Sequence, residues 1–441
     1  MTKHETIETE STRPSAEGAP AGWVKDDGGW RVRFYTILGG QALSLIGSAL
    51  TQFVLIWWIT DTTGSITALT AAGMAALLPQ AVLGPLGGIF ADRYSRRLLM
   101  IAADGVSALC MLVLIALFLT DRIELWHALV MMAIRSAMQG FQEPAMVAST
   151  PMLVPGRFLV RAVGLEQSVH NLTLVAAAPL GALAIAVMPI GWALAIDVVT
   201  AVLGIAPLLL FRIPQAFAPD GGRAGLWWEF REGVEVVWET PGLRQLFLLL
   251  GGVVLAFMPV FTLVPLLVKE HFGGDTVQLA LMESLSGIGM GVGGLLVAVL
   301  APRRRMPWIL CGFAVSCGAM ALTALAPRGL FGVAVAWWVI SGLAFVVADA
   351  PLTTVLQTIV PNHLLGRVMS LMNTVMGLAA PVGLGLLTPL GELFGVRGMF
   401  IVAGMFGVAI SVSGFLSRPL MALDRRRLET GQECQADLPM N

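Results

Sequence analysis

A chain of 441 residues, of which 56% are hydrophobic and only 12% charged, has more apolar surface than a water-soluble fold can bury. This composition excludes a soluble globular protein and predicts a chain embedded in lipid. The net charge of -1 gives no indication of a nucleic-acid partner, because charges in membrane proteins are distributed by membrane side. We interpret the four cysteines as unpaired thiols, since they show neither CxxC nor Cys/His metal-site spacing.

The chain begins with a polar, acidic segment, 1-32, which we expect to be a disordered cytoplasmic tail without the apolar core of a signal peptide. Beyond it, apolar stretches recur with about the 20 residues needed to cross roughly 30 Å of hydrocarbon. They predict twelve transmembrane helices, at 33-60, 66-91, 98-120, 125-146, 162-188, 191-211, 243-268, 277-300, 307-326, 330-357, 365-390 and 396-418. An even number of crossings places both termini on one side of the membrane.

Lysine and arginine predict which side this is, because positive residues are retained in the cytoplasm during insertion. With the N-terminus inside, 22 of the 27 Lys and Arg residues fall in cytoplasmic segments. The opposite side has only Arg122, Lys269, Arg328 and Arg397, and Arg135 lies within a helix. The sequence therefore predicts a multi-pass protein of the cell inner membrane with both termini in the cytoplasm.

The longest internal connection, 212-242, divides the chain into two six-helix halves, 33-211 and 243-418, and a second cytoplasmic tail follows at 419-441. We interpret this connection as a cytoplasmic linker that carries an amphipathic helix lying along the membrane interface. A plain flexible linker is the alternative. The residues that share one face of this helix are Trp227, Phe230, Val234, Val237 and Trp238.

The two halves repeat one another along the sequence. Three elements recur 206 residues later, in the order Glu143, Val154-Pro155 and Arg161, then Asp349, Val360-Pro361 and Arg367. Repeats that run in the same sense are related by an axis along the membrane normal. The repeat therefore predicts two pseudo-symmetric halves.

The loop after the second predicted helix carries the most specific motif, Gly88-Ile89-Phe90-Ala91-Asp92-Arg93-Tyr94-Ser95-Arg96-Arg97. Its glycine permits close helix approach, its aspartate can face a helix N-terminus, and its arginines can pair with carboxylates. The segment resembles the loop signature of the major facilitator superfamily, G-x-L-A-D-R-x-G-R-R, with Phe90 and Ser95 in place of Leu and Gly. The resemblance implies an all-α membrane protein that works by alternating access around a central site between its halves.

We expect the gating residues on the cytoplasmic side to be Gly88, Asp92, Arg93, Arg96, Arg97, Glu143, Asp349 and Arg367. The motif and repeat predict a salt bridge between Arg96 and Glu143, with Asp92 directed at the N-terminus of the eleventh helix near Gly366. The repeat predicts a weaker copy, Arg303 or a neighbour with Asp349. These contacts should hold one conformation of the transport cycle and break in the other.

Further segments narrow the resemblance to the drug-efflux branch of the superfamily that contains the macrolide exporters. They include Gly40-Gln41 with Ser44 and Gly47, Thr63-Gly64-Ser65, Ile196-Asp197, Pro241-Gly242-Leu243-Arg244, and Gln357 with Val360-Pro361 and Gly366-Arg367-Val368. Efflux families often have Arg-x-x-Gln-Gly in the fourth helix, whereas Arg135 of this chain stands one residue farther from Gln139-Gly140. The resemblance implies a monomeric secondary transporter that exports amphiphilic drugs or related natural products in exchange for protons.

Charged groups inside the helices are the candidates for substrate or proton coupling, because each costs roughly 2.5 to 3.5 kcal/mol at mid-bilayer unless it is paired or hydrated. Arg135 lies about ten residues, or roughly 15 Å, into the fourth helix. Its candidate partners are Asp104 and Glu166, and Gln41 completes the predicted coupling set. A purely structural ion pair is the alternative. We expect Asp197 and Glu283 to be hydrated near the external face.

Two other functions stay open from the sequence. The protein could export an endogenous metabolite such as a siderophore or lipid, or it could be a transport-dead membrane sensor. The sequence shows no Walker motif for ATP and no convergent nucleophile or metal cluster. We therefore expect no enzymatic activity, no metal and no cofactor.

Overall fold

The predicted apolar stretches form helices in the computed structural model, which describes residues 29-213, 226-300, 304-360 and 362-423. The two predicted tails lie largely outside these ranges, as does Arg303. The helices are α1 (Gly29-Thr63), α2 (Ile66-Arg93), α3 (Arg96-Leu119), α4 (Leu125-Leu153), α5 (Leu159-Val187), α6 (Ile190-Leu210), α7 (Leu226-Glu239), α8 (Pro241-Phe272), α9 (Thr276-Leu300), α10 (Arg305-Leu325), α11 (Phe331-Ile359) and α12 (Asn362-Leu416).

Eleven segments of the described chain are long and apolar enough to cross a membrane. Two of them, Leu364-Leu386 and Gly391-Leu416, lie within α12, which is broken at Gly395. Gly395 has φ of 69°, a left-handed conformation that glycine adopts at little cost, and the break divides α12 into two crossings. The predicted all-α membrane fold is therefore confirmed.

Helix α4 is not one of these eleven segments, but its 29 residues extend about 44 Å at a rise of 1.5 Å per residue, so the predicted count of twelve is roughly consistent. Polar residues lower its mean hydropathy, and they are the ones that build the site described below. The helix continues to Leu153, seven residues beyond the predicted end at 146, through Pro144 and Pro151. Hydroxyl groups bond to the backbone here: Ser149 Oγ donates to the Ala145 carbonyl at 2.6 Å. Such bonds help a membrane helix to accommodate proline.

The described part of the connection between the halves contains the short helix α7. Near its end Val237 is buried, whereas Trp238 is 59% exposed and lies 6.0 Å from the Arg244 guanidinium. An exposed tryptophan beside arginine is typical of a helix at a membrane surface. The interfacial position of this helix stays a prediction.

Each half is a ring of packed helices. In the first half, α2 packs on α4, α3 on α4 and α6, and α1 on α5 and α6. In the second half, α11 packs on α9 and α10, and α12 on α8 and α10. Close contacts depend on small residues: Gly87 of α2 lies directly against the backbone of Gly140 in α4, leaving no room for a side chain. The halves meet where α2 contacts α12 and α5 contacts α9.

Polar contacts join the halves at the end of the bundle that carries the α1-α2 loop. Lys269 Nζ lies 2.9 Å from the Asp61 carboxylate and donates to the Asp61 carbonyl at 2.7 Å. Thr67 Oγ1 donates to Glu392 at 3.0 Å. We call this set of contacts the clasp. It closes the α1-α2 end of the space between the halves.

At the opposite end, which carries the α2-α3 loop, the facing segments of α5 and α9 are largely exposed. Residues 163-172 of α5 are exposed except for two half-buried positions, and 291-300 of α9 are mostly exposed. Helix edges that face another helix would be buried on that side. Because the halves meet through α5 and α9, we infer from the exposure of these segments that a cleft between the halves opens toward the α2-α3 end.

Candidate functional site

The deepest polar group of the first half is an ion pair between α4 and α6. Arg135 Nη2 lies 3.0 Å from Asp197 Oδ2, and the two side chains are only 6% and 4% exposed. Ser48 Oγ of α1 donates to the other oxygen of Asp197 at 3.1 Å. The expectation that Asp197 would be hydrated near the external face is therefore wrong. Seven residues into α6, it faces the interior of the first half.

A second carboxylate, Asp104 of α3, is held by amides rather than by a cation. Gln142 Nε2 of α4 donates to Asp104 Oδ1 at 2.7 Å, and Gln41 Nε2 of α1 reaches Oδ2 at 3.4 Å. The two glutamines are joined by a bond of 3.0 Å between Gln142 Nε2 and Gln41 Oε1. Asp104 is 4% exposed. Two neutral side chains thus hold this carboxylate between three helices.

The ion pair and the amide-held carboxylate line the same small cavity. Its volume is about 10 Å³, enough for about one water molecule and far too small for a drug. Its walls come from Ser44, Ser48, Asp104, Ser107, Ala108, Arg135, Gln139, Gln142, Asp197 and Ala201. We call Gln41, Asp104, Arg135, Gln142 and Asp197 the polar cluster. A site of this size suits a proton or a small ion, whereas a drug would need the cleft.

Helical spacing explains how the sequence builds this cluster. Arg135, Gln139 and Gln142 are four and three residues apart, so they share one face of α4. The ion-pair partner of Arg135 is Asp197 rather than Asp104 or Glu166, although Arg135 and Asp104 line the same cavity. Asp197 could have been found as the only charged residue in the 21 residues of α6. Gln142 could have been found from its position on the Arg135 face.

Glu166, the other predicted partner, lies outside the polar cluster. Its carboxylate accepts a hydrogen bond from Thr150 Oγ1 near the end of α4. Glu166 does not line the cavity that contains Arg135. The interior of the first half therefore brings together Arg135, Asp104 and Gln41 of the predicted coupling set, without Glu166.

The arginines of the loop motif donate hydrogen bonds mainly to backbone carbonyls near helix ends rather than to carboxylates. Arg96 is 9% exposed, lies 3.6 Å from Asp92, and donates to the carbonyls of Ala91 and Ala148. Arg97 Nη2 donates to the Leu209 carbonyl at 2.8 Å, in the last turn of α6. Carbonyls of a last helical turn have no partner within their own helix, so these arginines cap α2 and α6.

The predicted Arg96-Glu143 salt bridge is not formed in this conformation. The Glu143 carboxylate is exposed and accepts instead from Gln80 Nε2 of α2 at 2.9 Å. The Arg96 side chain, at the start of α3, instead donates hydrogen bonds to backbone carbonyls of α2 and α4. The approach of Asp92 to the N-terminus of the eleventh crossing stays a prediction.

The other predicted gating residues lie at the open end of the cleft. Gly88 has nothing within 4 Å of where a side chain would begin, so the close helix approach expected of it is made by Gly87. Arg93 is exposed, and Asp349 and Arg367 are half-buried. The predicted partner of Asp349, Arg303, lies outside the described residues. Gating roles for these residues stay predictions.

The sequence profile of the Major Facilitator Superfamily matches residues 37-384, which is more than half of the chain. The chain belongs to the Major Facilitator Superfamily. The match begins within α1 and reaches the eleventh crossing, so it includes the loop motif and the whole polar cluster.

Several relatives of the chain are named as efflux proteins. The chain is 31% identical to "Macrolide efflux protein A" of Streptococcus pyogenes over 390 residues, which cover 87% of this chain and 95% of that protein. It is 30% identical to the protein of the same name from Enterococcus faecalis, over 70% of this chain and 97% of that one. "Multidrug efflux pump Tap" of Mycolicibacterium fortuitum is 25% identical over 86% of this chain and 94% of that protein.

Solved structures of low identity share the fold. A bacterial homolog of the human lysosomal transporter Spinster, in an inward-facing and unoccupied conformation, matches with a TM-score of 0.68 at 15% identity. The match covers 92% of this chain and 99% of that one. The nucleoside transporter NupG matches with a TM-score of 0.66 at 12% identity, over 89% of this chain and 98% of the other. The fold is that of a superfamily transporter.

Proposed function

We propose that this protein is a secondary active exporter of amphiphilic drugs or related natural products, which it exchanges for protons by alternating access. The names of the macrolide and multidrug efflux relatives support the direction and the substrate class. The polar cluster supports proton coupling. The observation that carries the proposal is the arrangement of two buried carboxylates around a single guanidinium.

The charges of the polar cluster do not balance when both carboxylates are ionised. Asp197 is neutralised by Arg135, whereas the partners of Asp104 are the neutral amides of Gln41 and Gln142. An uncompensated charge inside a membrane protein is costly, and one bound proton removes it. We therefore assign the transported proton to Asp104, with Arg135 and Asp197 as a fixed ion pair that sets the local field.

Protonation of Asp104 would change how three helices of the first half are held together. The carboxylate joins α3 to α1 and α4 through Gln41 and Gln142. On α4, Glu143 follows Gln142 directly and is exposed. Loss of the negative charge would weaken the amide bonds, because hydrogen bonds to a charged acceptor are stronger than those to a neutral one. The two protonation states would thus favour different packing of α1 and α4.

The orientation follows from the arginine-rich loops. We assign the α2-α3 end and both termini to the cytoplasm, and the clasp to the external side, in the inner membrane. The cleft then opens to the cytoplasm in this conformation, where an exporter takes up its substrate. The working unit is one chain, in which the cleft between the halves holds the substrate.

Transport by inverted vesicles tests the proposal. Purified protein in vesicles with the cytoplasmic side outward and an acidic interior should accumulate tetraphenylphosphonium or a macrolide, since protons leaving the lumen drive substrate inward. Vesicles without the protein are the control for passive uptake. Accumulation that an uncoupler leaves unchanged would exclude proton antiport, and absence of uptake of either compound would exclude drug export.

A further inference from the structure

Glu283 of α9 lies on the side of its helix that faces away from lipid. The residues of α9 that are exposed along the opposite side are Leu281, Leu285, Ile288, Val292 and Leu295. At about 100° per residue, Glu283 projects between the directions of Ser286 and Gly287. Ser286 Oγ reaches the carbonyl of Trp338 in α11 at 3.5 Å, and Gly287 packs against Val175 of α5.

The direction between α11 and α5 leads into the cleft. Helix α11 belongs to the second half and α5 to the first, so a side chain directed between them faces the space that separates the halves. Glu283 lies one turn closer to the clasp than Gly287, which is where α9 and α5 touch. The carboxylate is half-buried and lies near the closed end of the cleft.

The protein supplies no counter-charge to this carboxylate from its described residues. Glu283 makes no hydrogen bond or ion pair with any of them. Neither α9 nor α11 has a lysine or arginine in its crossing, and α5 has only Arg161, in its first turn. Lys269, at the end of α8, is held by Asp61. An ionised group at this depth needs a partner. Asp104 is 4% exposed beside a cavity that holds about one water molecule, whereas Glu283 is half-buried, so a cation brought by a ligand has access to Glu283 but not to Asp104.

Aromatic rings line the second half at the level of Glu283. The ring centroids of Phe261 and Trp338 are 4.9 Å apart, and Trp338 is the residue whose carbonyl faces Ser286. Trp338 is 1% exposed and Phe261 is half-buried. Thr262, next to Phe261, touches α2 of the first half at Gly73, which places this part of α8 along the cleft. Aromatic faces attract organic cations and also bury their apolar parts.

We propose that Glu283 and the half-buried ring of Phe261, which packs against the buried ring of Trp338, form the part of the central site that recognises the positive charge of a cationic amphiphile. The inference rests on the proposed export function and narrows its substrates to amphiphiles that carry an amine or another organic cation. The polar cluster of the first half then handles the proton, and the second half handles the charge of the substrate.

Binding to the purified full-length protein tests the site separately from transport. The two probes are tetraphenylphosphonium, a permanent cation, and triphenylphosphine oxide, which is uncharged. Glu283→Gln should weaken binding of the cation about tenfold or more, as expected for losing a charged partner, and leave binding of the oxide within about twofold. Glu283→Asp should retain most of the cation affinity. The matched control is Glu239→Gln, which removes an exposed carboxylate on α7 and should change neither.

Equal weakening of both probes by Glu283→Gln, or no change in either, would overturn the site. A Glu283→Asp variant that lost cation binding as fully as the Gln variant would also contradict recognition by charge. If wild-type vesicles transported nothing while Glu283→Gln still weakened binding of the cation and not of the oxide, the export proposal would be wrong and the proposed cation site would be supported. If wild-type vesicles transported substrate and Glu283→Gln changed the affinities for cation and oxide equally, only the proposed cation site would be wrong.

Discussion

The two halves of the transporter repeat one another in sequence but differ in their interiors. The offset of 206 residues aligns Arg135 with Ser341, Asp104 with Leu310 and Gln142 with Ala348. Ser341 exchanges hydrogen bonds with Ser316, each hydroxyl donating to the carbonyl of the other residue at 2.9 Å. The position that holds a buried cation in the first half therefore joins two helices in the second.

Aromatic packing replaces the polar cluster in the second half. Phe345, which aligns with Gln139, stacks on Phe257 at 4.8 Å and lies edge-on to Phe313 at 5.8 Å. The charged residue of α9, Glu283, faces the cleft instead of the interior. Two halves with the same fold can therefore have different functions, because the side chains in the interior of each half can differ while the half still moves as a unit. Under the functions proposed above, the first half would bind the proton and the second half the substrate.

The largest expected effect comes from removing the cation of the polar cluster. Arg135→Ala should abolish transport and lower the free energy of unfolding by about 3-5 kcal/mol, because Asp197 is left buried without its partner. The matched variant in the other half, Ser341→Ala, should cost only about 1 kcal/mol and leave transport active. Thermal unfolding in detergent and vesicle uptake measure the two quantities.

The double variant Arg135→Ala/Asp197→Ala separates folding from transport. It should recover much of the lost stability, since no buried charge remains uncompensated in the pair, but not the activity. Transport by Arg135→Ala at the normal rate would mean that the ion pair is purely structural. A Ser341→Ala variant that lost as much stability and transport as Arg135→Ala would contradict the proposed difference between the halves.

The next effect is on coupling rather than on folding. Asp104→Asn keeps the shape of the side chain but cannot release a proton, so accumulation driven by a pH gradient should fall to the passive level. Exchange of labelled for unlabelled substrate without a gradient should persist. Glu166→Gln is the matched control, because this carboxylate lies outside the polar cluster, and it should remain coupled. Loss of coupling in Glu166→Gln with normal coupling in Asp104→Asn would assign the proton site to Glu166 of α5 instead of Asp104.

The smallest effect concerns the clasp, where the side chains of Lys269 and Asp61 are 31% and 60% exposed. A pair this exposed contributes about 1 kcal/mol, so Lys269→Ala should shift the equilibrium toward the opposite conformation about fivefold. A cysteine introduced at Thr262, near the closed end, should then react about fivefold faster with a reagent added from the clasp side.

Arg397→Ala is the control for the clasp, because Arg397 Nε caps the Ala324 carbonyl at 2.9 Å within the second half. It removes a cation from the same end of the protein without touching the contact between the halves. Equal labelling rates in Lys269→Ala and the wild type would show that the salt bridge does not bias the cycle. Equal acceleration by both variants would assign the effect to charge at this end rather than to the clasp.

The sequence by itself determined the class of protein, the number of crossings and the superfamily. These features follow from local properties: helix length, apolar composition and a contiguous loop motif are legible one segment at a time. The depth of Arg135 in α4 was likewise predictable from the rise per residue. Position inside a crossing of the same half selected Asp104 and Gln41 as neighbours of Arg135, but it also selected Glu166, which lies outside the polar cluster.

Only the tertiary structure decided which charges meet. Arg135 and Asp197 are 62 residues apart in the chain, and their contact depends on how α4 and α6 are rotated about their axes. Rotation also directs Arg96 to backbone carbonyls instead of Glu143. In an apolar helix every face can be buried or can meet lipid, so hydropathy does not set this rotation. Packing between helices sets it, and packing is a property of the whole fold.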